Sequence, residues 1–173
     1  MKNYKQRLNK IKAFLFDVDG VLGSSRVLLS SNGELLRTMN IKDGYAMQYA
    51  VRQGYLLGII SGGKSEAVHQ RFVALGIHDV YMGAGNKMDF YKAFLSKYGL
   101  TDEEVLYMGD DIPDYEVMQK AGVSACPADA AQEIKAIASY VSHIKGGEGC
   151  VRDVIEQVLK LHGRWMADGA CHW

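Results

Sequence analysis

Proline is almost missing from this sequence, with 2 residues in 173, which excludes Pro-rich linkers and argues against disorder. Cysteine is scarce too. Cys126, Cys150 and Cys171 are odd in number and widely spaced. They form no CxxC metal pair and no disulfide framework, and read as reduced thiols of a cytoplasmic protein. Neither sign of charge is in excess: 20 Lys plus Arg balance 20 Asp plus Glu, against the basic surplus that nucleic-acid binders carry. Long apolar runs are lacking. Stretches such as 55–60 fall far short of the roughly 20 residues that span a bilayer, and the basic start MKNYKQRLNKIK lacks a signal peptide's apolar core. The expectation is a cytoplasmic chain with no nucleic-acid or membrane partner.

What is present is enough for a core: 48% of the residues are hydrophobic, and 19 glycines supply many short turns. The length suits one domain over 1–173. Continuous apolar runs at 12–18 (KAFLFDV), 55–61 (YLLGIIS), 78–82, 105–109 (VLYMG), 123–126 and 140–142 predict strands buried on both faces. Helical stretches alternate with them. Asp43 is expected to cap a helix that runs to Gln53 and stops at Gly54. Others are expected at 64–75, 86–98, 114–121 and 150–161, each followed by glycine within two residues. Thr101 and Glu104 read as a capping box with room for one turn. Such alternation predicts an α/β, doubly wound (Rossmann-like) parallel sheet with right-handed crossovers.

One segment interrupts the pattern. Residues 26–40 (RVLLSSNGELLRTMN) place Asn32-Gly33 between two strand-like halves, a strong hairpin signal. Leu28, Leu29, Leu35, Leu36 and Met39 make the ribbon too apolar to stand alone in water. It reads as a projecting association hairpin, the alternative being a ribbon folded back on its own domain.

Ligands of open α/β sheets bind at the carboxyl ends of the strands. Asp17 and Asp19 follow the first strand, Ser61 the second, Lys87 the third, and Asp110, Asp111 and Asp114 the fourth. Carboxylates gathered at one end of a sheet need a counter-charge. A hard divalent cation such as Mg²⁺ supplies it with oxygen ligands and suits phosphoryl chemistry. Asp111 and Asp114 are also good N-caps, so a purely structural role stays open for both. The five histidines show no metal-ligand spacing.

The motifs DVDGV (17–21), ISGG (60–63), GNKM with Lys87, and GDDIPD (109–114) resemble, in order, the four motifs of the haloacid dehalogenase superfamily. The resemblance implies a role for each. Asp17 would be the nucleophile, forming an aspartyl-phosphate, and Asp19 the general acid and base. Mg²⁺ would be held by the Asp17 carboxylate, the Asp19 main-chain carbonyl and the Asp110 carboxylate, with Asp111 or Asp114 in support. Ser61, Gly62 and Lys87 would hold the phosphoryl oxygens. The short stretches from Asp19 to Asp43 and from Ser61 to Lys87 leave no space for a cap domain. With the hairpin, NIKDGYAM (40–47) and GGEGCVRDVIEQVL (146–159), the chain resembles the capless 3-deoxy-manno-octulosonate 8-phosphate phosphatases of lipopolysaccharide precursor synthesis. That resemblance implies a homotetramer whose sites adjacent subunits complete. The hairpins would form its centre, and the tail (162–173, with Trp165 and Trp173) would reach a neighbour's site. Arg152 or Arg164 would meet the substrate carboxylate.

The chain departs from the subfamily pattern in three places. It has Gly23-Ser24-Ser25 after the first motif, Gly63 where a charged residue is common, and Glu148 where an Arg is common. These leave phosphoryl transfer intact and bear on the substrate. Phosphatases of nonulosonate 9-phosphates are the alternative, although they usually carry a Glu in the second motif. A phospho-accepting receiver domain also clusters aspartates with a lysine, but a DxD on the first strand and a GDDxxD on the fourth argue against it. A catalytically idle assembly module would not need every catalytic position filled.

Overall fold

The computed structural model describes residues 4–172. Its central strand, β1 (Ala13–Phe16), has parallel neighbours on both edges and is buried at all four positions because helices cover both of its faces. After β1 come the hairpin strands β2 (Leu28–Leu29) and β3 (Leu35–Leu36), then α2 (Ile41–Arg52), β4 (Leu56–Ser61), α3 (Glu66–Ala74) and β5 (Asp79–Met82). The second half holds α4 (Lys87–Tyr98), β6 (Val105–Met108), α5 (Tyr115–Lys120), β7 (Val123–Cys126), α6 (Gln132–Ile137), β8 (Tyr140–Val141) and α7 (Cys150–Leu161). A short helix, α1 (Tyr4–Leu8), precedes β1.

The main sheet runs β5-β4-β1-β6-β7-β8, with every pairing parallel. Numbering its strands along the chain gives 3-2-1-4-5-6, the doubly wound order, with the switch point at β1. One face packs α2 and α7 through Phe14, Phe16, Ala50, Val154 and Val158, and the other packs α4 and α5 through Leu15, Tyr107, Tyr91 and Val117. The expected α/β fold holds, and among the described residues no cap domain interrupts it. Among the described residues, no helix is long and apolar enough to cross a membrane.

Several expectations need correction. The cap of α2 is Asn40, not Asp43: Asn40 is extended and its side chain accepts from Lys42 N. Asp43 sits inside the first turn, and its carboxylate accepts from Arg152 N at 2.7 Å, joining α2 to the start of α7. Helix α3 starts later than expected, because Ser65 caps it through Val68 N. Helices α1 and α6 were not expected; α6 carries no side-chain N-cap bond to betray it. The capping box of Thr101 and Glu104 closes a single 3₁₀ turn (Asp102–Glu104), as its spacing predicts.

The hairpin forms its own two-stranded antiparallel sheet, outside the main one. Its leucines remain 42–74% exposed. The stem is laced to the loop after β1 by backbone bridges from Gly23 to both Asp19 and Met39. Beyond α7 the chain lies on its own α2 and α7. Trp165 meets Tyr49 edge-on at 5.6 Å, and Tyr49 Oη donates to Arg164 O at 2.9 Å. Trp173 lies outside the described residues.

Candidate active site

The carboxyl ends of β1, β4 and β6 converge because the three strands are neighbours in register. Asp17 N donates to Met108 O at 3.1 Å, which draws the residue after β1 against the residues after β6. The resulting cleft has a volume of about 300 Å³ and is lined by Asp17, Asp19, Ser61, Gly62, Lys87, Asp110, Asp111 and Asp114, among others. Eight residues expected from four separate motifs thus face one space. A larger depression of about 810 Å³ lies at the opposite end of the sheet, around Lys12, Tyr55, Glu104 and His162, away from these carboxylates.

Lys87 is the hub of the cleft. As the first residue of α4 it projects inward, with its Nζ 2.9 Å from Asp17 Oδ1 and 2.7 Å from Asp114 Oδ1. Asp114 is fully buried. It also accepts from Tyr107 Oη at 2.5 Å and from Asp110 N at 3.2 Å. Its carboxylate makes no capping bond to α5, so it holds the floor of the cleft instead. Asp111 behaves differently: it is exposed, and its side chain accepts from Ile112 N at the start of a 3₁₀ turn. Ser61 is buried, and its Oγ accepts from Gly63 N at 3.1 Å.

Asp17, Asp110 and Asp114 each offer a carboxylate oxygen, all within 4.8 Å of one another. Gly20 makes this approach possible: a Cβ there would lie 2.0 Å from Asp110 Oδ2, and its φ of +90° suits glycine. Three carboxylates share one ammonium, so negative charge is in excess. Burial, then the charge of Asp114, pushes Asp17 up to about 6 despite Lys87. Burial, then Asp17 and Asp114, pushes Asp110 up to about 8. Burial pulls the Lys87 ammonium down, but Asp17 and Asp114 outweigh it and hold Lys87 above its ordinary value. A hard, all-oxygen donor set short of positive charge fits a magnesium ion.

Asp19 has a partner that the sequence reading missed. Arg37 of the hairpin stem clamps it, with Nε 2.6 Å from Oδ1 and Nη2 3.0 Å from Oδ2. Its signal in the sequence is a single arginine beside the hairpin leucines, whose apolar pattern dominates the ribbon.

Arg152 and Arg164 do not line the cleft. The Arg152 side chain pairs with Glu156 at 2.5 Å and lies over the Trp165 ring, while Arg164 lies over Tyr55 and donates to Gln53 O. The loop before α7 does approach. Gly147 N donates to Val21 O at 2.8 Å, beside the first motif.

Comparison with known proteins agrees with this geometry. Residues 73–152 match a family model of haloacid dehalogenase-like hydrolases. The chain is 37% identical over 158 residues to the 3-deoxy-D-manno-octulosonate 8-phosphate phosphatase of Salmonella typhi, covering 91% of this chain and 84% of the relative. The crystal structure of the corresponding Yersinia pestis phosphatase superposes with a TM-score of 0.91 at 32% identity, covering 94% of this chain and 88% of that one. The Moraxella catarrhalis phosphatase, crystallised with magnesium, phosphate and KDO, superposes with a TM-score of 0.89 at 30% identity, covering 93% and 92%.

Proposed function

Since the chain belongs to the haloacid dehalogenase-like hydrolases, we propose that it is the phosphatase that hydrolyses 3-deoxy-D-manno-octulosonate 8-phosphate in lipopolysaccharide precursor synthesis. The observation that carries this reading is the Asp17–Lys87–Asp114 chain beside Asp110, in a protein 37% identical over 91% of its length to a phosphatase of that name. These matches do not favour the nonulosonate alternative.

The Asp17 carboxylate attacks phosphorus, and the ester P–O bond breaks with its electron pair on the sugar oxygen. Asp19 gives that oxygen a proton. Asp19 then takes a proton from water, whose oxygen attacks the aspartyl-phosphate; the Asp17 O–P bond breaks, releasing phosphate and restoring the carboxylate. Ser61 Oγ, Gly62 N–H and the Lys87 ammonium hold the phosphoryl oxygens, and Asp114 keeps Lys87 in place. Magnesium, held by the carboxylates of Asp17 and Asp110 and the main-chain carbonyl of Asp19, supplies charge neutralisation when bound. Asp111 and Asp114 support that set through water or hydrogen bonds.

The chain works in the cytoplasm as a homotetramer. The apolar hairpin supplies the contact, and adjacent subunits help to complete each site. A substrate-carboxylate role for Arg152 would require it to leave Glu156 and Trp165. It belongs to this reading only as a group offered to a neighbouring site.

The test is phosphate release from octulosonate 8-phosphate and nonulosonate 9-phosphate, with magnesium and after chelation. The octulosonate ester is expected to be preferred, and the Asp17→Asn chain is expected to fold normally yet turn over nothing. Preference for the nonulosonate ester, or normal turnover by Asp17→Asn, would reject the reading. Truncation after Leu161 tests whether the tail helps to close a site; unchanged rate and preference would remove it from the proposal.

A further inference from the structure

We infer that Asp129, in the turn after β7, is a positioning residue for the metal seat. It clamps the glycine loop before α7 behind the first motif, and so fixes where the Asp19 main chain stands relative to Asp110. This rests on magnesium being held by Asp17, Asp110 and the Asp19 carbonyl, as the proposed reaction requires.

Gly20 is wedged between two groups. In front of it, a Cβ would lie 2.0 Å from Asp110 Oδ2. Behind it, Gly146 comes so close that a Cβ on that residue would lie 1.9 Å from Gly20 O. The backbone that follows Asp19 is therefore packed from both sides, with no room for a methyl group on either. The loop behind it is also bonded to it. Gly147 N donates to Val21 O at 2.8 Å, and the Cys150 thiol donates to the same oxygen at 3.3 Å.

Asp129 closes a ring through these segments. Its Oδ1 accepts from Gly146 N at 2.9 Å. In the same turn, Ala128 N donates to Ile144 O at 3.0 Å and Ala131 N donates to Asp110 O at 2.9 Å. The turn thus grips the loop at one end and the main chain of Asp110 at the other. The ring runs from Asp110 through the turn, the loop and Gly20, and returns to the Asp110 carboxylate. Asp129 is exposed and does not line the cleft. Its effect on the metal therefore passes through the position of the segments it joins, as outlying partners of a metal site do.

Ion choice distinguishes this role from a simple electrostatic one. Magnesium demands near-ideal octahedral geometry, whereas calcium accepts a looser arrangement. Slack in the ring should therefore cost magnesium more than calcium. Affinity is read without substrate, from the thermal midpoint of the whole chain titrated with each ion. Asp129→Ala is expected to weaken magnesium about 10-fold and calcium by less than about 3-fold. Asp129→Asn removes the charge but keeps an acceptor for Gly146 N, so both ions should stay within about 2-fold of wild type. Unchanged magnesium affinity in Asp129→Ala would overturn the inference. An equal fall for both ions would also overturn it, as would a fall in Asp129→Asn that matches Asp129→Ala, because charge alone would then explain the effect. Circular dichroism and the metal-free midpoint separate misfolding from misplacement. Gly146→Ala loosens the same ring from its other side and carries the ion comparison if Asp129→Ala does not fold. If magnesium does not raise the midpoint of the wild-type chain, the magnesium reading itself fails and the inference with it, a result visible before any variant is made.

Discussion

Asp114 Oδ1 accepts from Lys87 Nζ at 2.7 Å at the bottom of the cleft, where Asp114 is only 1% exposed. The carboxylate therefore works as an anchor beneath the lysine. Replacing it by alanine leaves Tyr107 Oη without its acceptor and Lys87 with Asp17 alone. The expected outcome for Asp114→Ala is a loss of about 1–3 kcal/mol in urea unfolding and a fall in turnover of about 100-fold from the displaced ammonium. Turnover near the wild-type rate would show that Lys87 is held by other means.

Magnesium should stabilise the chain more at pH 8 than at pH 6. Without the ion, Asp17 is pushed up to about 6 and Asp110 up to about 8, so protons compete with metal at the lower pH. At 100 times its dissociation constant, a ligand adds about 2.7 kcal/mol to stability. Thermal midpoints measured with magnesium and with chelator at the two pH values check this. Asp110→Asn should abolish most of the increment.

Asp43 gives a separate pH signature, away from the cleft. Burial pushes it up to about 6, against the lowering effect of Arg152 N. The folded chain therefore binds this proton more tightly than the unfolded chain does. Its contribution is fully present below about pH 4 and is lost as pH rises through about 6. Asp43→Asn keeps an acceptor for Arg152 N and has no proton to lose. Relative to wild type it should gain on the order of 2–3 kcal/mol between pH 4 and pH 7. Parallel pH profiles of the two stabilities would refute the assignment.

The exposed hairpin leucines predict an assembly that charge can break. Leu29, 74% exposed, is the most open of the four. Leu29→Glu is expected to reduce the mass measured by light scattering from that of the assembly to that of one protomer. An unchanged mass would locate the contact elsewhere.

The sheet was legible because β1, β4 and β6 are buried on both faces and so read as unbroken apolar runs. The ends of those strands place Asp17, Ser61 and Asp110 on one side of the sheet. The start of α2 was not legible in the same way. Asn40 and Asp43 are both good caps by residue type; Asn40 wins because its backbone is extended and Asp43 is drawn to α7, a long-range contact. Asp111 and Asp114 could not be separated either, since only the packing of Tyr107 and Lys87 turns one inward and leaves the other in solvent. Arg37 was hidden for a related reason, because its partner lies 18 residues away across a turn.

The central position of β1 also sets the order in which the molecule can be built. Asp17 lies near the start of the chain, yet its backbone N–H is satisfied by Met108 O, far downstream. During synthesis the first strand must wait for β4 on one edge and β6 on the other before its apolar side chains and amides are covered. Such non-local pairing is slow and leaves the unfinished sheet prone to aggregate. The carboxylate pocket therefore cannot form until Asp110 and Asp114 have been made, and a half-made chain cannot gather its acids around a metal.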